Sequence, residues 1–348
     1  INIEKNIKKI TSSAIKNLHE RISPINNLEK LINEVKNSKL NELLKVKKLI
    51  DDCKINGTLP FAHAARNGFV STILLKSFVD QKILSQKRYD DFFESIRTIT
   101  SEFEYDLIKN KSSIQIRNII NKYGHLRPGT YEITSDPYWK NPDKYLTTSL
   151  KKEKKSKKFK FSEKEKKGIL DIINNLDESI DFDVFEKYLI SSIQERERVK
   201  FEFTKSISLS LDLIESWSKK VDIGINDIKF LKYEDLIKFI DHEDLNEIKK
   251  AIKLNKESFI YTQIINLPDI IENEDNFYFF ELNNAQPNFI SNKKTISNSV
   301  YDLKNTSSLR NKIILIENAD PGYDWLFNKS ISGIITKYGG ANSHMAIR

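Results

Sequence analysis

A glycine turn followed by a histidine is the part of the sequence best suited to chemistry. Residues 331–348 read ISGIITKYGGANSHMAIR. The apolar run before the glycines has the pattern of a buried strand, and the glycines let the backbone make a tight approach. Asn342 or Ser343 can cap a helix that begins at His344. His344 is therefore predicted to lie in the first turn of a helix, directly after a glycine turn.

An imidazole in this position suits phosphoryl transfer. Its ordinary pKa of about 6.5 leaves it neutral, and so nucleophilic, near pH 7. The phosphoryl group that it acquires is an anion, which the free N–H groups and the positive dipole end of a helix N-terminus stabilise. The alternative interpretation is structural: His344 caps the helix or is half-buried, and the glycines only turn the chain.

The longer pattern resembles the phosphohistidine motif of the PEP-utilising enzyme family, whose members include pyruvate phosphate dikinase, PEP synthase, rifampin phosphotransferase and Enzyme I of the phosphotransferase system. The residues that carry this resemblance are Thr336, Gly339, Gly340, Ser343, His344, Ala346 and Ile347. NKIILIENADPGYDWLF and QPNFISNKKTI, the latter as a first strand, also resemble the rifampin phosphotransferase branch. Specific similarity thus covers about residues 285–348. The family continues with an arginine and a further strand, so Arg348 is not that arginine and the domain is expected to be incomplete.

The resemblance implies a two-step transfer with His344 as the carrier. In the family, a separate ATP-binding domain uses ATP and Mg²⁺, passes the β-phosphoryl group to the histidine and releases AMP and phosphate. The histidine domain then swings to an acceptor site. Residues 1–330 contain no P-loop or other phosphate-binding glycine run. The ATP-binding domain, a partner within the same full-length chain, is therefore expected to precede Ile1.

A second candidate cluster lies in the stretch QERERVKF. Arg196, Glu197 and Lys200 stand at i, i+1 and i+4, so the two cations share a helix face. By resemblance to rifampin phosphotransferases, the cations would neutralise the phosphoryl group in transit. Glu197 would orient or deprotonate a small-molecule acceptor. The alternative is a solvated, salt-bridged helix face, which suits Arg198 better.

The segment GHLRPGTYEI concentrates polar side chains around a Pro-Gly turn. His125, Arg127 and Glu132 are candidate binding residues, because polar groups on irregular segments more often bind than pack. Arg127 is the first choice as a phosphate or carboxylate ligand, since its planar guanidinium binds such oxygens in pairs. His63 is better explained as packed between helices. The sequence shows no spaced set of His, Cys and carboxylate residues, so no structural metal is expected.

The helices that must position these residues begin at recognisable caps. Up to about Asn255, apolar residues recur every three to five positions between charged residues, which predicts amphipathic helices packed on one another. Ser85, Ser162 and Asp181 each precede such a run and are predicted N-caps. The range 122–141 contains two glycines and two prolines and is predicted to interrupt the helices.

Beyond Asn255 the pattern changes to short, β-favouring runs such as NKIILIEN and SGIITKY, separated by Asn, Asp, Pro and Gly. The predicted fold class is multidomain α and α/β. A mostly helical acceptor-binding domain covers residues 1–265, a hinge covers 266–284, and a small swivelling α/β phosphohistidine domain covers 285–348.

Composition and charge exclude several classes of protein. The chain has 348 residues, of which 39% are apolar, and no apolar run approaches the roughly 20 residues of a membrane-spanning helix. Residues 151–167 hold ten lysines and three glutamates, or +7 of the net +8, and are predicted to form a mobile loop. Neither a membrane nor a nucleic-acid partner is expected. One cysteine, Cys53, and no signal-peptide pattern predict a cytoplasmic, reducing location.

The favoured function is therefore an ATP-dependent phosphotransferase. FELNNAQPNF, GHLRPGTYEI and the Lys-, Ile- and Asn-rich composition resemble L-glutamine kinases of bacterial capsular phosphoramidate synthesis. An antibiotic kinase of the rifampin type is the alternative acceptor class. Two further functions stay open: a phosphocarrier whose phospho-His344 is a signal, and a nucleic-acid-binding helical protein, whose salt-dependent binding would be lost on deletion of residues 151–167.

Overall fold

The computed structural model is mostly helical, with a small parallel sheet towards its C-terminal end. It describes residues 3–109, 113–129, 131–146, 158–265, 267–268, 270–278, 287–291, 293–300, 303, 308–319, 321–339 and 343–347. The chain divides into two compact units. The first comprises Ile1–Leu40, Lys45–Leu126 and Pro137–Ser210, and the second comprises Asn41–Leu44, Arg127–Asp136 and Leu211–Arg348.

The α-helices follow the amphipathic pattern of the sequence. In chain order they are α1 (Ile3–Ile22), α2 (Ile25–Asn37), α3 (Glu42–Cys53), α4 (Leu59–Asp80), α5 (Gln86–Ser95), α6 (Ile99–Lys109), α7 (Ser113–Tyr123), α8 (Pro142–Tyr145), α9 (Glu163–Asn174), α10 (Phe182–Lys220), α11 (Ile225–Ile228), α12 (Tyr233–His242), α13 (Leu245–Ile264) and α14 (His344–Ile347). A π-helical turn, Lys54–Thr58, joins α3 to α4, and 3-10 turns cover Tyr138–Lys140, Glu274–Phe277 and Pro321–Lys329.

The three predicted N-caps are confirmed. The Ser85 side chain accepts from the Arg88 N–H at 3.3 Å, and Ser162 forms a reciprocal capping box with Glu165. Asp181 Oδ1 accepts from the Val184 N–H at 2.8 Å. Residues 163–167 thus belong to α9, whereas residues 151–157 of the predicted Lys-rich loop lie outside the described residues.

Within the first unit, α4 packs closely on α10 through polar as well as apolar contacts. The Tyr188 hydroxyl donates to Asn67 Oδ1 at 2.9 Å, and the Ser192 hydroxyl lies 2.6 Å from that of Ser71. Both pairs are buried. Buried hydrogen bonds are specific in geometry, so these two pairs fix the register of α10 against α4 and position the residues between and beside them.

The second unit has its own apolar core and a three-stranded parallel sheet. The core residues are Leu43, Trp217, Ile223, Ile228, Leu236, Ile248 and Ile252. The strands β1 (Ser299–Val300), β2 (Ile313–Asn318) and β3 (Gly333–Tyr338) follow one another in the order β1-β2-β3. Ile314 pairs with Ile334 and Ile316 pairs with Thr336. Parallel strands of this kind need a connecting crossover, and the one between β2 and β3 includes the 3-10 turn Pro321–Lys329.

The coarse fold prediction is confirmed: a mostly helical chain ends in a small α/β element. The strands expected at NKIILIEN and SGIITKY are β2 and β3. The predicted first strand within residues 286–296 is wrong, because the described residues of this stretch form no strand. The first strand is β1, in which Ser299 and Val300 pair with Ile313 and Ile314 of β2. The domain bounds at 265 and 285 stay a prediction.

Within the part of the chain that the structure describes, no helix has both the length and the apolar character needed to cross a membrane.

Candidate functional site

The structure begins α14 at His344, after the turn that follows β3. Gly339 has a φ of +140°, a backbone conformation that residues with a side chain rarely adopt. A Cβ at this position would also lie only 2.7 Å from the Ala319 Cβ. Strain and crowding therefore both require glycine here. Gly340 and Asn342 lie outside the described residues.

Neighbouring residues hold this turn against the sheet. The Ser343 Oγ accepts from the Ala346 N–H at 3.4 Å, as expected of a residue that caps α14. The Met345 side chain is buried. On the strand side, the Ala319 N–H donates to the Tyr338 carbonyl at 3.1 Å, and Thr336 lies partly buried in β3 beside Ile316. The motif thus has the order predicted from the sequence: strand, glycine turn, cap and histidine.

Comparison with protein families identifies this segment. Residues 309–348 match the PEP-utilising enzyme mobile domain. The match confirms the resemblance to the PEP-utilising family over those residues, and it includes β2, β3 and α14. In that family the mobile domain is associated with phosphohistidine-based phosphoryl transfer, and the enzymes generally use ATP and Mg²⁺. No curated protein matches the chain.

In the first unit, Arg196 lies on α10 against α4. Its guanidinium carbon is 5.0 Å from the centroid of the Phe69 ring, and its side chain is 29% exposed. The Arg196 Nε is 3.7 Å from Glu197 Oε1, which is an ion-pair distance but too long for a hydrogen bond. A Cβ at Gly68 would meet the Arg196 Cδ at 3.1 Å, so the arginine stem runs across the glycine.

Arg198 on the same helix has a different environment. Its Nε donates to Glu195 Oε2 at 2.7 Å and its Nη1 donates to Asn26 Oδ1 at 3.3 Å. Within the described residues, by contrast, neither Arg196 nor Lys200 donates a hydrogen bond to a carboxylate, although both side chains are partly buried. A partly buried cation that lacks such an acceptor has lost part of its hydration without replacement and attracts an anion.

Arg127 in the second unit is hydrogen-bonded within the protein. Its side chain is almost fully buried, its Nη2 donates to Asp212 Oδ1 at 2.7 Å, and its Nη1 donates to the Ser135 carbonyl at 2.6 Å. Burial lowers the pKa of Arg127 and the charge of Asp212 opposes this only in part, but an arginine guanidinium stays charged in proteins. These contacts give Arg127 a structural function, since they tie the turn after Leu126 to α10. Its role as a ligand stays a prediction.

His125 and Glu132, the other two candidates of this segment, also have local partners. His125 Nε2 lies 3.1 Å from the Phe201 carbonyl, and the two rings pack edge to face. Burial, and then the charge of Lys205, lower the pKa of His125 to about 3, so the ring is neutral at pH 7. Exposed Glu132 accepts from the Thr134 N–H at 3.2 Å. The structure assigns His125 to the first unit and Glu132, with Arg127, to the second.

Metal binding finds no support among the described residues, which form no group of three or more His, Cys, Asp or Glu side chains arranged to hold an ion. The resemblance assigns the Mg²⁺ that accompanies ATP in the family to a separate domain.

Sequence reasoning missed two residues that the structure places beside Arg196. Gly68 and Phe69 lie within FAHAARNGFVSTILLKSF, and a glycine inside a helical pattern was the available signal, because it commonly marks close packing. Asp212, the partner of Arg127, was also missed. It lies 85 residues further along the chain, and no local pattern connects the two.

Proposed function

We propose that this chain carries out phosphohistidine-based phosphoryl transfer, in which His344 receives a phosphoryl group and passes it to a small-molecule acceptor. The match of residues 309–348 to the mobile domain carries this proposal. The order of strand, Gly339 turn and His344 at the start of α14 supports it.

The two steps balance as nucleophilic displacements at phosphorus. An imidazole nitrogen of His344 forms an N–P bond while the bond from phosphorus to the donor's leaving group breaks. The acceptor then forms a bond to phosphorus while the N–P bond breaks, and the proton of the acceptor passes to a base. We assign that base, or the group that orients the acceptor, to Glu197.

We assign to Arg196 and Lys200 the neutralisation of the negative charge on the phosphoryl group during its transfer. The support is that both cations are partly buried on one helix face without a hydrogen-bonded carboxylate in the described chain, whereas Arg198 donates to Glu195 and Asn26. Donors placed where negative charge develops stabilise a transition state without having to reorganise. Thr336, Gly339 and Ser343 support the His344 turn, and Gly340 stays a proposed phosphate-binding residue. His125, Arg127 and Glu132 stay proposed ligands of the phosphoryl group or the acceptor.

As acceptor we propose L-glutamine first, supported by the resemblance of FELNNAQPNF and GHLRPGTYEI, with a rifampin-type antibiotic as the alternative. A screen that measures AMP release from ATP in the presence of each compound separates the two. A phosphocarrier without turnover would form phosphohistidine and release AMP once, with no further release in response to either compound.

Replacement of His344 by alanine tests the phosphohistidine directly. Protein that includes the implied ATP-binding domain is incubated with β-labelled ATP, and the chain alone is incubated with phosphoramidate, a small donor that phosphorylates histidine. We expect an acid-labile, base-stable label on the wild type and none on His344→Ala. His242→Ala, which removes an exposed histidine of α12, is the matched control and should label normally. Label that persists in His344→Ala would remove this residue from the reaction.

A further inference from the structure

Phe69 is an exposed aromatic residue with one face covered. Its side chain is 54% exposed on α4, and the guanidinium of Arg196 lies over its ring at 5.0 Å. Single exposed apolar residues are common and need no explanation. Ile73, which is 66% exposed one turn later on the same helix, is a matched exposed apolar residue without a ring.

The backbone of α4 directs the arginine onto that ring. A Cβ at Gly68 would lie 3.1 Å from the Arg196 Cδ and 3.3 Å from the Ser192 carbonyl oxygen. Because glycine has no side chain, there is space for the aliphatic part of Arg196 to cross α4 here. The buried contacts of Ser71 with Ser192 and of Asn67 with Tyr188 fix the two helices in this register.

A cation–π contact holds a guanidinium without using its hydrogen-bond donors. An arginine paired with a carboxylate, such as Arg198 with Glu195, uses N–H donors for the ion pair. A cation–π contact uses none of the five N–H groups, so the contact with Phe69 leaves N–H donors of Arg196 available for phosphoryl oxygens. The planar fork binds such oxygens in pairs when its orientation is already set, because less side-chain entropy is then lost on binding.

We propose that Phe69 is a positioning residue, which holds the Arg196 guanidinium over its ring and so keeps N–H donors available to an incoming phosphoryl group. This inference rests on the anion-binding role of Arg196 in the proposed function. The ligand class is a phosphoryl or phosphate oxygen anion, and the ring acts through Arg196 rather than on the ligand.

Inorganic phosphate is a suitable probe, because its use does not require the acceptor to be known. Phosphate is titrated into the chain labelled with ¹⁵N-arginine, and the Arg196 Nε–H signal is assigned by its absence in Arg196→Ala. We expect Phe69→Leu to weaken phosphate binding about 3- to 30-fold and to shift the Arg196 signal, since the ring no longer lies beside it. Phe69→Tyr retains a ring and should restore both, and Ile73→Ala should change neither.

A double-mutant cycle separates positioning from a general effect on stability. If Phe69 acts through Arg196, Phe69→Leu has no further effect on phosphate affinity in the Arg196→Ala background. Thermal unfolding of Phe69→Leu and Ile73→Ala is measured in parallel, to ensure that both variants are folded at the titration temperature.

Each remaining outcome has a definite consequence. Wild-type phosphate affinity in Phe69→Leu, with weakened affinity in Arg196→Ala, overturns the positioning role and leaves the proposed function intact. Additive effects of the two substitutions also overturn it. Wild-type affinity in Arg196→Ala itself contradicts the anion-binding role of Arg196 in the proposed function, and the labelling of His344 then decides separately whether the phosphohistidine stands.

Discussion

Two arginines separated by one residue on α10 serve different purposes. With 3.6 residues per turn, Arg196 and Arg198 point about 200° apart around the helix axis. Arg198 contacts Glu195 and Asn26, while Arg196 lies over Phe69. The sequence separates the two only through resemblance, because the charge pattern QERERVKF alone fits a salt-bridged surface equally well.

Replacement of Arg196 or Lys200 by alanine should stop the second step and spare the first. We expect the variants to load phosphohistidine normally but to discharge it to the acceptor about a hundredfold more slowly, because a donor to the transition-state charge is lost. Arg198→Ala is the control and should discharge within about threefold of the wild type. The measurement is the decay of label on preloaded protein, with L-glutamine and rifampin as acceptor probes. Wild-type decay in Arg196→Ala would restore the surface-face interpretation.

His125 should make stability depend on pH. Its pKa is about 3 in the folded chain and about 6.5 when unfolded, so the unfolded state binds more protons between these values. The contribution of neutral His125 to the unfolding free energy is therefore fully present above about pH 6.5 and is lost as the pH falls towards 3. Between pH 7 and pH 5 the wild type should lose about 1–2 kcal/mol more unfolding free energy than His125→Gln. Urea unfolding at both pH values measures this, and equal losses in the two proteins would contradict it.

At the scale of elements, local sequence signals predicted where helices begin but not which distant residues contact each other. The caps at Ser85, Ser162 and Asp181 depend on residues three positions away, and all three are confirmed. The contact of Phe69 with Arg196 joins residues more than a hundred positions apart, and only the packing of α4 on α10 brings them together. For the same reason the sequence identified Arg127 as a polar residue of interest but could not supply its partner.

The ion pair of Arg127 with Asp212 should contribute strongly to the unfolding free energy of the protein. Asp212→Asn removes the charge of the carboxylate that accepts from the nearly fully buried guanidinium, and we expect a loss of about 3 kcal/mol in unfolding free energy. Asp227→Asn breaks a half-exposed pair with Lys256 and should cost under about 1 kcal/mol. Urea titration of both variants tests the difference. A loss of less than about 1 kcal/mol in both variants would show that burial does not make the pair of Arg127 and Asp212 more stabilising than the exposed pair.

For the whole molecule, the sequence predicted a helical part and a small α/β part, and it predicted the family resemblance of the α/β part. That success has a physical cause: the strand, glycine turn and helix start of the motif are contiguous, so the signal lies in one short stretch. The folded chain has two compact units, and the second contains residues from three separate ranges. Such a division depends on long-range packing, which periodicity does not reveal.

Because the second unit has its own apolar core, we expect the two units to open locally and exchange hydrogen independently. Ile248→Ala removes buried methyl groups from the core of the second unit, so we expect faster hydrogen exchange in α12 and α13 with α4 still protected. Leu75→Ala, at a fully buried position of α4, should have the reverse effect. Mass spectrometry of exchanged peptides checks both variants. Equal loss of protection throughout the chain would mean that the two units unfold together.

The turn at Gly339 has an evolutionary consequence. Every change of a glycine codon that replaces the amino acid introduces a Cβ, and here the new atom meets both an unfavourable φ and the Ala319 methyl group. No stepwise route of mild substitutions leads away from glycine at this position. When genes that encode this segment are compared, the codon for residue 339 should tolerate synonymous changes alone.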